Sequence, residues 1–146
     1  MIAPARRVGP ALSGTFGMTT DAAGTTELSG AITTSGAQTY NDAVTLTGAT
    51  SITGVGNTFA STVNGAQTLS TVDTGTTTFA GAVGGAAALA SLTASANTVN
   101  VNAVTTTGAV SITAGNDVTV GGTVTAGSTI DVLFGQSAAG TFTANA

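Results

Sequence analysis

The chain has 146 residues, of which only 5% are charged, with 2 basic and 6 acidic side chains, a formal net charge of −4, and no His, Cys or Trp. An ordinary globular domain carries about 25% charged residues. Both basic residues, Arg6 and Arg7, lie in the first ten positions, so the rest of the chain cannot neutralise phosphates and nucleic acid is excluded as a partner. Zinc, haem and iron–sulfur sites lack their usual His and Cys ligands, and the many Ser and Thr hydroxyls lack a His or Lys base. No catalytic residue, metal site or cofactor is therefore expected, and the chain does not read as an enzyme. A mean hydropathy of +0.42 argues against a disordered linker despite the Gly, Ser, Thr and Ala content.

Residues 1–14 carry two arginines before a mild apolar stretch broken by Pro10, Ser13 and Gly14. They read as an irregular lead-in rather than an export signal, and a repeat domain is expected over 15–146. From there, short segments rich in β-branched residues alternate with Gly and Asn punctuation. Val44-Thr45-Leu46-Thr47, Val110-Ser111-Ile112-Thr113, Val118-Thr119-Val120 and Ile130-Asp131-Val132-Leu133-Phe134 alternate apolar and polar, the mark of strands with one face inward. Residues 81–92, within the weakly polar run 80–92, are Ala-rich enough to favour helix locally, but the flanking repeat argues for continued strand. That run is also far shorter than the ~20 apolar residues a membrane span needs.

The spacing decides the fold. Thr58-Phe59-Ala60 and Val63 recur 20 positions later as Thr78-Phe79-Ala80 and Val83. Val44, Val63, Val83, Val104 and Val124 then mark one recurring apolar position at steps of 19, 20, 21 and 20. A longer echo relates residues 31–37 to 103–109, a shift of 72, and Gly36-Ala37-Gln38-Thr39-Tyr40 is echoed by Gly65-Ala66-Gln67-Thr68-Leu69. Strands this short cannot bury a face alone. Coils of about 20 residues stacked roughly 4.8 Å apart would line up equivalent positions. The expected fold is all-β: a right-handed parallel β-helix, or β-solenoid, of such coils. An antiparallel β-sandwich serving as a binding module is the alternative, but its strands have no reason to repeat at 20 residues.

The segments 36–46 and 79–85 resemble the repeats of filamentous-haemagglutinin-like and autotransporter-type bacterial adhesins. The resemblance covers roughly residues 15–135. It implies a β-helical stalk segment of an exported protein at the bacterial cell surface, with a host-surface or cell-surface ligand as partner, and a piece of a longer array. The expected partners also include a second copy, by end-to-end self-association, because no capping segment is evident and the sequence reaches Asn145-Ala146 soon after another Thr141-Phe142-Thr143. A second functional expectation is an ice-binding solenoid. It rests on Thr45-Leu46-Thr47, Thr105-Thr106-Thr107, Thr123-Val124-Thr125 and Thr141-Phe142-Thr143, with breaks at Asn64-Gly65 and Gly84-Gly85. Asp21, Glu27, Asp42, Asp73, Asp117 and Asp131 are scattered among Gly, Asn and Ala and read as solvated turn residues. A polysaccharide-processing β-helix would need such carboxylates clustered with a basic residue, which the repeat region lacks.

Overall fold

The computed structural model describes residues 5–135 and 140–144, with side chains for 6–135, 140 and 141. Every element among them is a strand. The chain winds through coils that each cross three faces. The first coil contributes β1 (Ala5–Val8), β2 (Ala11–Gly14) and β3 (Met18–Thr19). The second contributes β4 (Thr25–Thr34), which bends across two faces, and β5 (Gln38–Tyr40). The third repeats this with β6 (Ala43–Gly54) and β7 (Asn57–Phe59). The fourth has β8 (Val63–Asn64), β9 (Thr68–Asp73) and β10 (Thr76–Phe79), and the fifth has β11 (Ser91–Ala96) and β12 (Thr98–Val101). The sixth has β13 (Val104–Thr106), β14 (Val110–Ala114) and β15 (Val118–Val120), and the last has β16 (Val124–Ala126), β17 (Ile130–Leu133) and β18 (Phe142–Ala144).

Every pairing is parallel, and each joins one coil to the next. The third face is a 7-stranded ladder in the order β18-β15-β12-β10-β7-β5-β3, one strand per coil. The fold is a parallel β-solenoid of about 6 turns at ~20 residues each. An antiparallel sandwich is thereby overturned.

Inward positions stack into columns. On the first face the column runs Arg6, Thr26, Val44, Val63, Val83, Val104, Val124. Its five valines are those marked by the 20-residue spacing, and Val44 to Val104 are buried. On the second face it runs Leu12, Ile32, Ile52, Thr71, Ala94, Ile112, Val132. On the third, Tyr40, Phe59 and Phe79 stack ring on ring with centroids 4.8 Å apart, followed by Val101 and Val120. The ring spacing equals the strand spacing, so the ladder itself sets the stack.

Bends between faces need glycine at particular places. Gly30 has φ +76°, at the register break between Leu28 and Gly30, and a Cβ there would lie 1.6 Å from the Pro10 carbonyl oxygen. In the fifth coil the Ala-rich stretch forms an outward loop, not a helix. Asn64 Oδ1 accepts from Ala86 N and Ala87 N at 2.9 and 3.2 Å, and Leu89 returns inward to bridge Thr106.

Three expectations are corrected. Residues 5–14 are not irregular: β1 and β2 pair in register with β4, so the first described residues already belong to the coil. The 72-residue echo joins non-equivalent places, since Ile32 lies on the second face and Val104 on the first. What recurs there is one strand and its bend, a unit all three faces share. At Ile130–Leu133 the alternation holds in direction but not in burial: Ile130 continues the inward column of Val110 yet is 52% exposed because no described coil stacks above it, and Leu133, 49% exposed, continues the outward column of Thr113.

Candidate functional site

The carboxylates are the reactive side chains most able to form a site, and the coil disperses them. Asp21 pairs with Arg6, and Glu27 with Arg7 at 3.2 Å, all on the first two coils. Asp117 accepts from Thr141 N at 2.7 Å, and Asp131 is exposed on the second face.

Asp42 and Asp73 are not solvated turn residues: they are 3% and 7% exposed. Asp42 sits at the corner leading into the first face. Its Oδ1 accepts from Thr20 Oγ1 and Thr26 Oγ1, each at 2.7 Å. Asp73 ends β9 at the corner between the second and third faces. It accepts from Asn57 N at 2.8 Å, Thr77 Oγ1 at 3.1 Å and Gly75 N. Each carboxylate therefore ties one coil to the next. The side-chain groups that donate to them are threonine hydroxyls, and among the described residues no basic side chain hydrogen-bonds to either carboxylate.

The interior carries further polar residues that the sequence pattern did not single out. Gln38, Asn57 and Thr77 stack in one inward column of the third face and are fully buried. Tyr40 Oη donates to Gln38 Oε1 at 2.7 Å, and Gln38 Nε2 donates to the Thr53 carbonyl at 2.9 Å. Burial pushes the Tyr40 phenol above its ordinary pKa, so it remains a donor. Among the described residues no three of His, Cys, Asp and Glu group together, and no pocket is found.

The outer surface is where the repeat becomes chemistry. On the third face the outward column is Thr19, Thr39, Thr58, Thr78, Asn100, Thr119. On the second face two outward columns run side by side: Ser51, Ser70, Thr93, Ser111 and Thr33, Thr53, Val72, Ser95, Thr113. None of these residues is charged, although Ser111 is followed in its column by Asp131 on the last coil. The threonine ladder anticipated on the first face is short. Thr105 does stack on Thr125, but Thr45 is followed by Asn64. Phe142 and Thr143 lie outside the residues whose side chains are described, and Asn145-Ala146 lies outside the described residues altogether. The regular hydroxyl faces were legible only once register was known, although Thr58 and Thr78 already carried the signal at a spacing of 20.

These features define the class: a parallel β-solenoid with a mainly apolar interior, hydrogen-bonded corners and faces rich in Ser and Thr hydroxyls. Comparison with protein-family models, with curated proteins and with solved structures finds no match.

Proposed function

We propose that this chain is a stalk or adhesive segment of an exported bacterial surface protein and performs no catalysis. The observation supporting this is the stacked, nearly uncharged solenoid, in which Arg6, Arg7, Asp21 and Glu27 pair on the first two coils, Asp42 and Asp73 are locked into corners, and Asp131 is dispersed on the second face. Such a rod spans distance, and its periodic Ser/Thr faces offer many weak, repeated contacts to a host-surface or cell-surface ligand. The resemblance of residues 36–46 and 79–85 to adhesin repeats points the same way. An antibody raised against the chain should label intact bacteria that carry it. Labelling only after permeabilisation would contradict the surface assignment. Saturable binding of the purified chain to host cells would favour adhesion over a spacer role, and its absence would favour the spacer.

A second reading is favoured by the third-face column. Thr19, Thr39, Thr58 and Thr78 stack without interruption before Asn100. A flat ladder of methyl and hydroxyl groups at strand spacing is suited to ordering water at an ice surface. Thermal hysteresis of the purified chain would support this reading, and none at millimolar concentration would remove it.

A further inference from the structure

We infer that Asn64-Gly65 is a latent deamidation site, which the Ala-rich loop of the fifth coil holds shut. It is the one Asn-Gly pair in the sequence. Asparagine is among the heat-labile residues. Its side-chain amide carbon can be attacked by the backbone nitrogen of the next residue, and a glycine there has no side chain to hinder the approach.

The pair and the loop both depart from the regular coil. Asn64 ends β8 and interrupts the outward threonine ladder of the first face, where it stacks on Thr45. The loop is an insertion. Val83 bridges Val104 and Leu89 bridges Thr106, so the fifth coil has four more residues between these points than the sixth. Val83 and Leu89 are buried, while Gly85, Ala86 and Ala87 are exposed. What Ala86 and Ala87 bind is the Asn-Gly pair. Ala86 N and Ala87 N donate to Asn64 Oδ1 at 2.9 and 3.2 Å, and Gly65 N donates to the Ala87 carbonyl at 3.2 Å. Ala87 thus holds both ends of the ring that deamidation has to close.

With the loop in place, the Gly65 N–H is committed to Ala87 and its nitrogen cannot swing onto Asn64 Cγ. When the loop opens, water or hydroxide takes the Gly65 N–H proton, the N–Cγ bond forms, the Cγ–Nδ2 bond breaks and ammonia leaves. Water then adds to the succinimide and cleaves one of its two C–N bonds. One product is aspartate, which keeps an acceptor for Ala86 N and Ala87 N. The other is isoaspartate, which places the side-chain methylene in the main chain beside Val63 of the inward valine column. Loop opening therefore sets the rate of a covalent change at this coil. The two N–H groups on Oδ1 would also favour the oxyanion of the attack if Gly65 N were free. A folded chain that reacts faster than an unfolded one is thus the opposite outcome to be distinguished. The inference rests on the loop contacts and not on the adhesin reading, so either can fail alone.

The test is to incubate the whole chain at mildly alkaline pH, folded and in urea, and to follow conversion at Asn64 by peptide mass spectrometry. Conversion in urea, and conversion at least about tenfold slower in the folded chain, are expected. Ala87→Pro removes a donor to Asn64 Oδ1 and should bring the folded rate toward the urea rate with an unchanged far-ultraviolet spectrum. Hydrogen exchange of the wild-type chain is a second readout that needs no variant. The Gly65 N–H should be protected by the same factor by which Asn64 is slowed. Conversion in the folded wild-type chain as fast as in urea, or faster, overturns the inference. So does an unprotected Gly65 N–H, or a folded Ala87→Pro chain that converts at the wild-type rate.

Discussion

At the scale of residues, the interior depends on a few stacked side chains. Phe59 lies between Tyr40 and Phe79 with centroids 4.8 Å from each, so Phe59→Ala loses contacts on both sides. A loss of about 3–5 kcal/mol in urea unfolding is expected, in line with other buried aromatic truncations. Asp73→Ala would leave Asn57 N, Gly75 N and Thr77 Oγ1 without their acceptor. It should cost at least about 2 kcal/mol in the same measurement, and Asp73→Asn less. The single tyrosine gives a pH signature. Its raised folded pKa means the folded state holds the phenolic proton more tightly than the unfolded state does. This contribution is full below the unfolded value of about 10 and is lost as pH rises beyond it. Tyrosine absorbance in the native chain should therefore not titrate near pH ~10, and should change only when alkali unfolds the protein. The valine column was legible because one apolar residue type recurs at one spacing. Gln38, Asn57, Thr71 and Asp73 were not, because a polar residue in an alternating strand reads as outward. In β9 the pattern inverts: Thr71 and Asp73 point in, while Val72 is 46% exposed. Only the register of neighbouring coils decides which set is inside.

At the scale of elements, strands are short because each face of the coil is short, and the bends hold the register. Gly30 is the clearest case. A Cβ there would meet backbone, not a movable side chain, and φ +76° is unfavourable for any L side chain. Gly30→Ala should destabilise by roughly 1–3 kcal/mol or more in urea unfolding. Gly48, where the nearest contact of a Cβ is the Ser29 Cβ at 3.3 Å, should accept Ala at far smaller cost. The glycines were visible as punctuation, but not which of them are obligatory, since that depends on the coil stacked beside them. The same limit explains the 72-residue echo. Local sequence specifies a strand and a bend, and this unit serves on any face. It also explains the first coil: β1 and β2 have an unremarkable local pattern and become strands because β4 lies alongside.

At the scale of the whole molecule, the account comes down to parallel stacking at a constant rise. The outward threonine column offers a ruler, because Thr19, Asn100 and Thr119 stand on the first, fifth and sixth coils. With no native cysteine to interfere, spin labels can be attached at Thr19→Cys paired with Asn100→Cys or with Thr119→Cys. Pulsed electron–electron resonance should give distances centred near ~19 Å and ~24 Å, since four and five coil steps of roughly 4.8 Å separate the labelled positions. An increase of about one strand spacing between the two pairs is the predicted result. Equal distances, a shorter distance for the Thr119 pair, or values far beyond these would contradict parallel stacking.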